Sequence, residues 1–269
     1  MRTLVHLSDL HFGHVDARTL QPLSRLIESL DPHAVVVSGD LTQRARPSQF
    51  REARAFLDTL PHPQIVVPGN HDIPLVNVLK RFASPLERFR SLVACDVEPF
   101  FADGEIAVMG LNTARSSTWK GGRVNEEQLG KARERLAPLP RSIVKVIVTH
   151  HPFDVPPGRD ENDLVGRARQ AMGVFAAAGV DLFLSGHLHV SHTAHTAVRY
   201  EIEGHSALVI HAGTATSTRQ RGEVNSFNVL HVEAGRVKLV RFDWHSSRGT
   251  FLPRPEERYE RGPRGWEPA

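Results

Sequence analysis

The sequence predicts an α/β protein whose first third is built on a parallel sheet. Three observations carry that reading. Short aliphatic runs recur at 4–7, 34–37 and 65–67, segments with apolar residues three and four apart separate them, and the run at 34–37 lacks the polar alternation of a strand with one wet face. A β–α–β–α–β order of this kind needs crossover helices, and in such sheets ligands gather at the carboxyl ends of the strands.

The elements follow in order. After the strand at 4–7, Leu20, Leu23, Ile27 and Leu30 mark one face of a helix that Asp31 and Pro32 stop. The run at 34–37 reads as a strand buried on both faces and ends at Ser38–Gly39–Asp40. Pro47 and Ser48 start a second helix with Phe50, Ala53, Leu57 and Leu60 on one side, and Pro61 and Pro63 end it. A third strand at 65–67 delivers Pro68–Gly69–Asn70–His71–Asp72. From 74 to 93 the chain reads as irregular and then helical, with Leu86, Phe89, Leu92 and Val93 as a packing stripe. Asp103–Gly104 between two apolar runs signals a hairpin. Asn125 caps a helix over 126–137 with Gln128 at the capping-box position. The strand at 143–148 leads to Thr149–His150–His151–Pro152. A helix over 164–178 closes at Gly179, and the strand at 181–184 leads to Ser185–Gly186–His187–Leu188–His189. Four further strands are expected at 197–202, 207–211, 228–232 and 237–242. One domain is therefore expected over 1–245, with the Pro-, Arg- and Glu-rich segment 246–269 as an irregular surface strap.

Composition narrows the function classes. The chain has 269 residues, a formal net charge of +3 and no run approaching the ~18 apolar residues of a membrane span. No signal-peptide pattern opens it, so a cytoplasmic setting is expected. The arginines are scattered rather than gathered into a basic stripe with interleaved aromatics, which disfavours nucleic acid as a partner. The single cysteine, Cys95, expected as a buried small side chain, excludes an internal disulfide and a thiolate metal cage. Any metal must therefore sit on oxygen and imidazole, and 16 histidines, several at strand ends, point that way.

Five strand ends carry metal-type ligands: Asp9 with His11, Asp40, Asn70 with His71, His150, and His187 with His189. Two carboxylates, one amide oxygen and five imidazoles suit a pair of cations such as Mn, Fe or Zn, whereas calcium would want more oxygen. Gly39 and Gly69 precede ligands at sharp exits, either as ordinary turn glycines or where positive φ or close backbone approach is required. His151 adjoins the expected ligand His150, His6 reads as a hydrogen-bonded core histidine, and His192 falls near the mouth of the site.

The motifs Asp9-x-His11, Gly39–Asp40, Gly69–Asn70–His71–Asp72, His150 and Gly186–His187-x-His189 resemble, in order and context, the signature of the calcineurin-like metallophosphoesterases. Within that superfamily, Leu41–Thr42, His150–His151–Pro152, the segment 214–221 and Asn225–Ser226–Phe227–Asn228 resemble the class III cyclic-nucleotide and glycerophosphodiester phosphodiesterases. The resemblance implies a four-layer α/β/β/α sandwich of two stacked mixed β-sheets flanked by helices. It implies one metal on Asp9, His11, Asp40 and His189, and another on Asp40, Asn70, His150 and His187, with Asp40 shared. A shared carboxylate holds two cations at ~3.5–4 Å, suited to in-line attack by a bridging hydroxide. His71 would then polarise or protonate the leaving oxygen, and Asp72 would orient His71.

Asn70, His71, Arg115 and Arg219 or Arg221 are the expected substrate contacts, the arginines being otherwise solvated surface groups. Two divalent cations less two carboxylates and one hydroxide leave a net charge of about one, matching a diester monoanion. The substrate expected is thus a small phosphodiester. A phosphomonoesterase or broad organophosphate-ester hydrolase is the enzymatic alternative, and a metal-containing binding protein without turnover is the other. A homo-oligomer is compatible with the loop 152–158 or the segment 75–93 as a surface between copies.

Overall fold

The computed structural model describes residues 1–75, 78–118, 120–219 and 222–269. The first half follows the expected order: β1 (Arg2–Leu7), α1 (Ala17–Ser29), β2 (Ala34–Val37), α2 (Pro47–Leu57), β3 (Gln64–Val66), α3 (Val78–Ala83), α4 (Glu87–Leu92), β4 (Phe100–Ala102) and β5 (Ile106–Gly110). There follow α5 (Glu126–Leu136), β6 (Val144–Val148), α6 (Ala168–Ala177), β7 (Leu182–Ser185), β8 (His192–His195), β9 (Leu208–His211), β10 (Ser226–Glu233), β11 (Arg236–His245), β12 (Thr250–Pro253), β13 (Glu257–Gly262) and β14 (Gly265–Pro268).

Two mixed sheets result. One runs β14-β13-β11-β10-β1-β2-β3 with β12 against β11, and the other β4-β5-β6-β7-β9-β8. β1, β2 and β3 are parallel, as are β5, β6, β7 and β9. The period-2 alternation of a strand assigns each side chain to a layer. Leu4, Val36 and Ile65 meet Val108, Val146, Leu184 and Ile210 between the sheets. Val5, Leu7, Val35 and Val37 turn outward onto α1 and α2 through Leu23, Ile27, Phe50 and Leu57. Met109, Ile147, Phe183 and Val209 turn outward onto α5 and α6 through Leu129, Leu136, Met172 and Phe175. This is the expected four-layer α/β/β/α sandwich. Among the described residues, no helix is long and apolar enough to cross a membrane.

Local signals are realised where they are self-contained. Asn125 Oδ1 accepts from Gln128 N at 2.8 Å and Gln128 Oε1 accepts from Asn125 N at 2.9 Å, so the capping box closes. β4 and β5 pair antiparallel across Asp103–Gly104. Three expectations fail here. The helix expected from 164 begins at Ala168, since Val165 N is held by Pro152 O at 2.9 Å and Gly166 N by Gly122 O at 2.8 Å. The strand expected at 197–202 is absent: Thr196–Val198 form a single 3-10 turn, while the polar His192–His195 takes the sheet edge as β8 instead. Cys95 is exposed, because Val93 rather than Cys95 turns into the core after α4.

The largest correction concerns 246–269. It is no irregular strap but three strands that extend the first sheet. Tyr259 and Trp266 are buried in the layer between the sheets, and Trp266 Nε1 donates to Asp181 Oδ1 at 3.1 Å. Single aromatics set among Arg, Glu and Pro carry too sparse an alternation for a strand to be read from them.

Candidate metal centre

Every strand end that carries a candidate ligand lies at one edge of the two sheets, and the exits are laced together by backbone. Asp9 N donates to Gly39 O at 3.1 Å, His11 N to Asp40 O at 2.9 Å, and Gly186 N to His150 O at 3.2 Å. The side chains are aimed by an uncommon backbone: Asp9 (φ 52°), His11 (51°), Asp40 (52°), His187 (71°) and His189 (58°) are all left-handed. Such residues each cost of order 1–3 kcal/mol and persist where surrounding structure over-determines them, as functional sites do. The two glycines differ. Gly39 sits at φ 92°, while Gly69 is required for space, because a Cβ there would overlap the Asp40 carboxylate and amide.

Two clusters form. In the first, Asp9 Oδ1 lies 3.2 Å from His189 Nε2 and 3.6 Å from His11 Nε2, and the two imidazole nitrogens are 3.1 Å apart. In the second, His150 Nε2 lies 3.1 Å from Asn70 Oδ1 and 3.3 Å from His187 Nδ1. Asp40 Oδ2 stands between them, 3.9 Å from His11 Nε2 and 3.4 Å from His150 Nε2.

The hydrogen bonds behind the rings decide what these contacts are. A carbonyl only accepts, so His189 Nδ1–H donates to Arg219 O (3.2 Å) and His150 Nδ1–H donates to Ser38 O (2.8 Å). Both Nε2 lone pairs therefore face other acceptors: His189 meets Asp9 Oδ1, and His150 meets Asn70 Oδ1 and Asp40 Oδ2. In neutral rings, acceptors turned on acceptors in a buried site repel unless a proton or a metal cation stands between them, so the donor set fits metal ions. Asp9 Oδ1 is buried and has no hydrogen-bond partner among the described residues, which agrees. The electrostatics point the same way. Burial opposes charge on His150, but the Asp40 and Asp9 carboxylates outweigh it and raise its pKa to about 9. The field that draws a proton there draws a cation.

The other expected residues divide. His71 is at the site: its amide donates to Asp40 Oδ1 at 2.8 Å, its Nδ1–H donates to Gln43 O at 2.9 Å, and its Nε2 faces Arg219 Nη1 at 3.4 Å. Asp72 does not orient that ring. Its carboxylate accepts from Leu41 N (3.2 Å), Thr42 N (2.9 Å), Thr42 Oγ1 (3.0 Å) and Gly69 N (2.9 Å), clamping two strand exits. Burial, reinforced by Asp40, raises the Asp72 carboxyl to about 7. Arg115 is elsewhere, donating to Asn112 O and Ala114 O (both 2.9 Å) and to Gln128 Oε1 (2.8 Å) beside a separate hollow near Glu98. Arg219 does line the cleft, whereas Arg221 lies outside the described residues. His151 has both nitrogens engaged, by Thr113 Oγ1 (2.8 Å) and Lys120 O (2.7 Å), and backs His150 and His187. His192 packs edge-on against His211 rather than lining the cleft.

A cleft of about 490 Å³ opens over Asp40, Asn70, His71, His187 and His189. Its rim brings in Gln43, Arg44, Lys120, Asp160 and Asp163, which sequence reasoning missed. They come from loops without motif or periodicity, so no signal in the chain marked them.

The profile of the calcineurin-like phosphoesterases matches residues 2–191, the span that holds every residue of both clusters. The chain belongs to the calcineurin-like phosphoesterase family. The family and its phosphodiesterase relatives support a metal-dependent phosphoester hydrolase, which is the chemistry the acceptor clusters call for. The chain is 31% identical over 274 residues to a cAMP/cGMP dual specificity phosphodiesterase of Mycobacterium tuberculosis, covering 93% of this chain and 82% of that protein. It is 39% identical over 82 residues to a glycerophosphodiester phosphodiesterase of Enterobacter lignolyticus, a match covering 26% of this chain and 29% of that relative. A dimetal phosphatase from Danio rerio shares the fold, with a TM-score of 0.65, 15% identity and coverage of 88% of this chain and 95% of that one.

Proposed function

We propose that this phosphoesterase hydrolyses small phosphodiesters of the cyclic-nucleotide or glycerophosphodiester type at a two-cation centre of Mn, Fe or Zn. One observation carries the reading: two clusters of inward-facing acceptors share the Asp40 carboxylate. Asp9, His11, Asp40 and His189 would hold one cation, and Asp40, Asn70, His150 and His187 the other. Bound there, divalent cations supply Lewis acidity to the phosphoryl oxygens and bring the pKa of a water towards neutrality.

The chain's own groups supply the rest. Ser8 Oγ (2.7 Å) and His187 N (3.0 Å) occupy Asp9 Oδ2, which leaves Oδ1 to the cluster. Gln43 O holds His71 by its Nδ1–H, so His71 presents Nε2 to the cleft, the atom from which the ring, when protonated on both nitrogens, would hand a proton to a leaving oxygen. Arg219 beside it, anchored on Gln43 Oε1 at 3.3 Å, offers charge to a phosphate oxygen. Two buried carboxylates and one hydroxide against two divalent cations would leave a net charge of about one, which favours a diester monoanion over a monoester dianion. The two relatives, both phosphodiesterases, support the same choice.

The test is to reconstitute metal-free protein with Mn, Fe, Co or Zn and assay cyclic nucleotides, glycerophosphodiesters, aryl diesters and aryl monoesters in one panel. Turnover of diesters at two cations per chain is expected. Turnover confined to monoesters would overturn the diester assignment, and none with any metal would overturn the enzyme reading.

A further inference from the structure

His6 is completely buried in the middle of β1, on the face that Leu4 shares between the sheets. An imidazole in that layer is costly unless both nitrogens are engaged. Burial holds its pKa near 3, so the ring is neutral and carries one N–H. Asn228, directly opposite on β10, settles which nitrogen bears it. Asn228 Nδ2 lies 3.3 Å from His6 Nδ1 and 3.2 Å from His211 O, and an amide NH2 only donates. His6 Nδ1 is thus the acceptor, and Nε2–H donates to Ser38 Oγ at 2.9 Å. Ser38 is the residue whose carbonyl receives His150 Nδ1–H at 2.8 Å. The same carbonyl lies 3.4 Å from Ser8 Oγ, the group bonded to Asp9 Oδ2.

We infer that His6 is a positioning residue for the His150 side of the metal centre, acting through the Ser38 peptide that fixes the His150 ring. The inference rests on the two-cation reading above. A ring that donates its remote N–H to a fixed carbonyl is locked in tautomer and orientation, and partners of this kind set metal affinity. The relay Asn228–His6–Ser38–His150 runs from β10 through β1 to the exit of β2, neighbours in the first sheet, and crosses to the exit of β6 in the second. In the other cluster His189 is fixed independently of this relay, its Nδ1–H on Arg219 O, and His11 Nδ1 is buried without a hydrogen-bond partner among the described residues. Loss of His6 therefore acts mainly on the His150 cation, the other cluster being reached only through the longer 3.4 Å contact of Ser38 O with Ser8 Oγ.

The test is stepwise Mn binding to metal-free full-length protein, followed by calorimetry and by the spin coupling of the Mn pair, with thermal unfolding of the metal-free forms alongside. His6→Phe fills the volume without a donor. Affinity for one of the two cations is expected to fall about 10–100-fold, the other to stay within threefold, and the coupled signal to disappear at sub-saturating Mn. His6→Gln, whose amide donates to Ser38 Oγ, should restore both. Retention of both affinities in His6→Phe overturns the inference, as does an equal fall of both together with a lowered Tm. Should His6→Phe not fold, Ser38→Ala removes the hydroxyl, keeps the carbonyl and is judged by the same criteria. Fewer than two cations bound by the unmodified protein would instead overturn the two-cation reading.

Discussion

The two halves of the centre are built differently. Asp9, His11 and His189 are 0%, 0% and 3% exposed, and all three sit on left-handed backbone. Of Asn70, His150 and His187, only His187 is left-handed, and Asn70 and His187 reach the cleft at 8% and 10% exposure. The sealed half is preset by left-handed strand exits, those of β1 and β2 bonded to each other and that of His189 following β7. The open half is set by side-chain bonds, His150 on Ser38 O above all. The sealed half is therefore expected to retain its cation, and the open half to exchange one and to meet substrate.

The strongest way to break the distinction is to remove what both halves share. Asp40→Ala should lose both cations by metal analysis and lower turnover by about 10³-fold or more, several kcal/mol of transition-state stabilisation being at stake. Retained turnover without metal would break the mechanism itself. His71→Gln should keep both cations yet lower kcat about 10²-fold on alkyl diesters. It should cost far less on aryl diesters, whose leaving oxygen needs no proton. An equal loss on both would exclude a proton-donor role.

Asn70→Ala sharpens the comparison directly. It should weaken the open-half cation about 10–100-fold, with activity recovered at millimolar metal, whereas Asp9→Asn in the sealed half should not recover. Titration of activity against metal reads the difference. The smallest effect is expected at Arg115→Ala, with kcat/KM within twofold and stability lowered by about 1–2 kcal/mol from lost backbone ties, measured by thermal unfolding.

Different parts of this molecule were legible to different degrees. The β1–α1–β2–α2–β3 unit was readable because each element has its own signal: an aliphatic run, a helical stripe, a stopping proline. The capping box at Asn125 and the turn at Asp103 were readable because their partners lie within four residues. The seven candidate ligands were readable because parallel strands deliver their ends to one edge, so position along the chain implies position in space. β12 to β14 were not, because Tyr259 and Trp266 take their burial from Asp181, Arg261 and a sheet assembled from remote segments. Asp72 and Arg115 were misread for the same reason: their roles depend on which backbone groups stand nearby.

By itself, then, the sequence determined the layer order, the strand ends that carry acids and imidazoles, and the family to which they belong. Those follow from periodicity and local spacing, which survive in one dimension. Only the tertiary structure decided which nitrogen of each histidine points inward, that His71 is held by Gln43, that His6 reaches His150 through Ser38, and which loops rim the cleft. Each of these depends on a hydrogen bond between residues far apart in sequence, and a lone pair has a direction only once both of its neighbours are fixed.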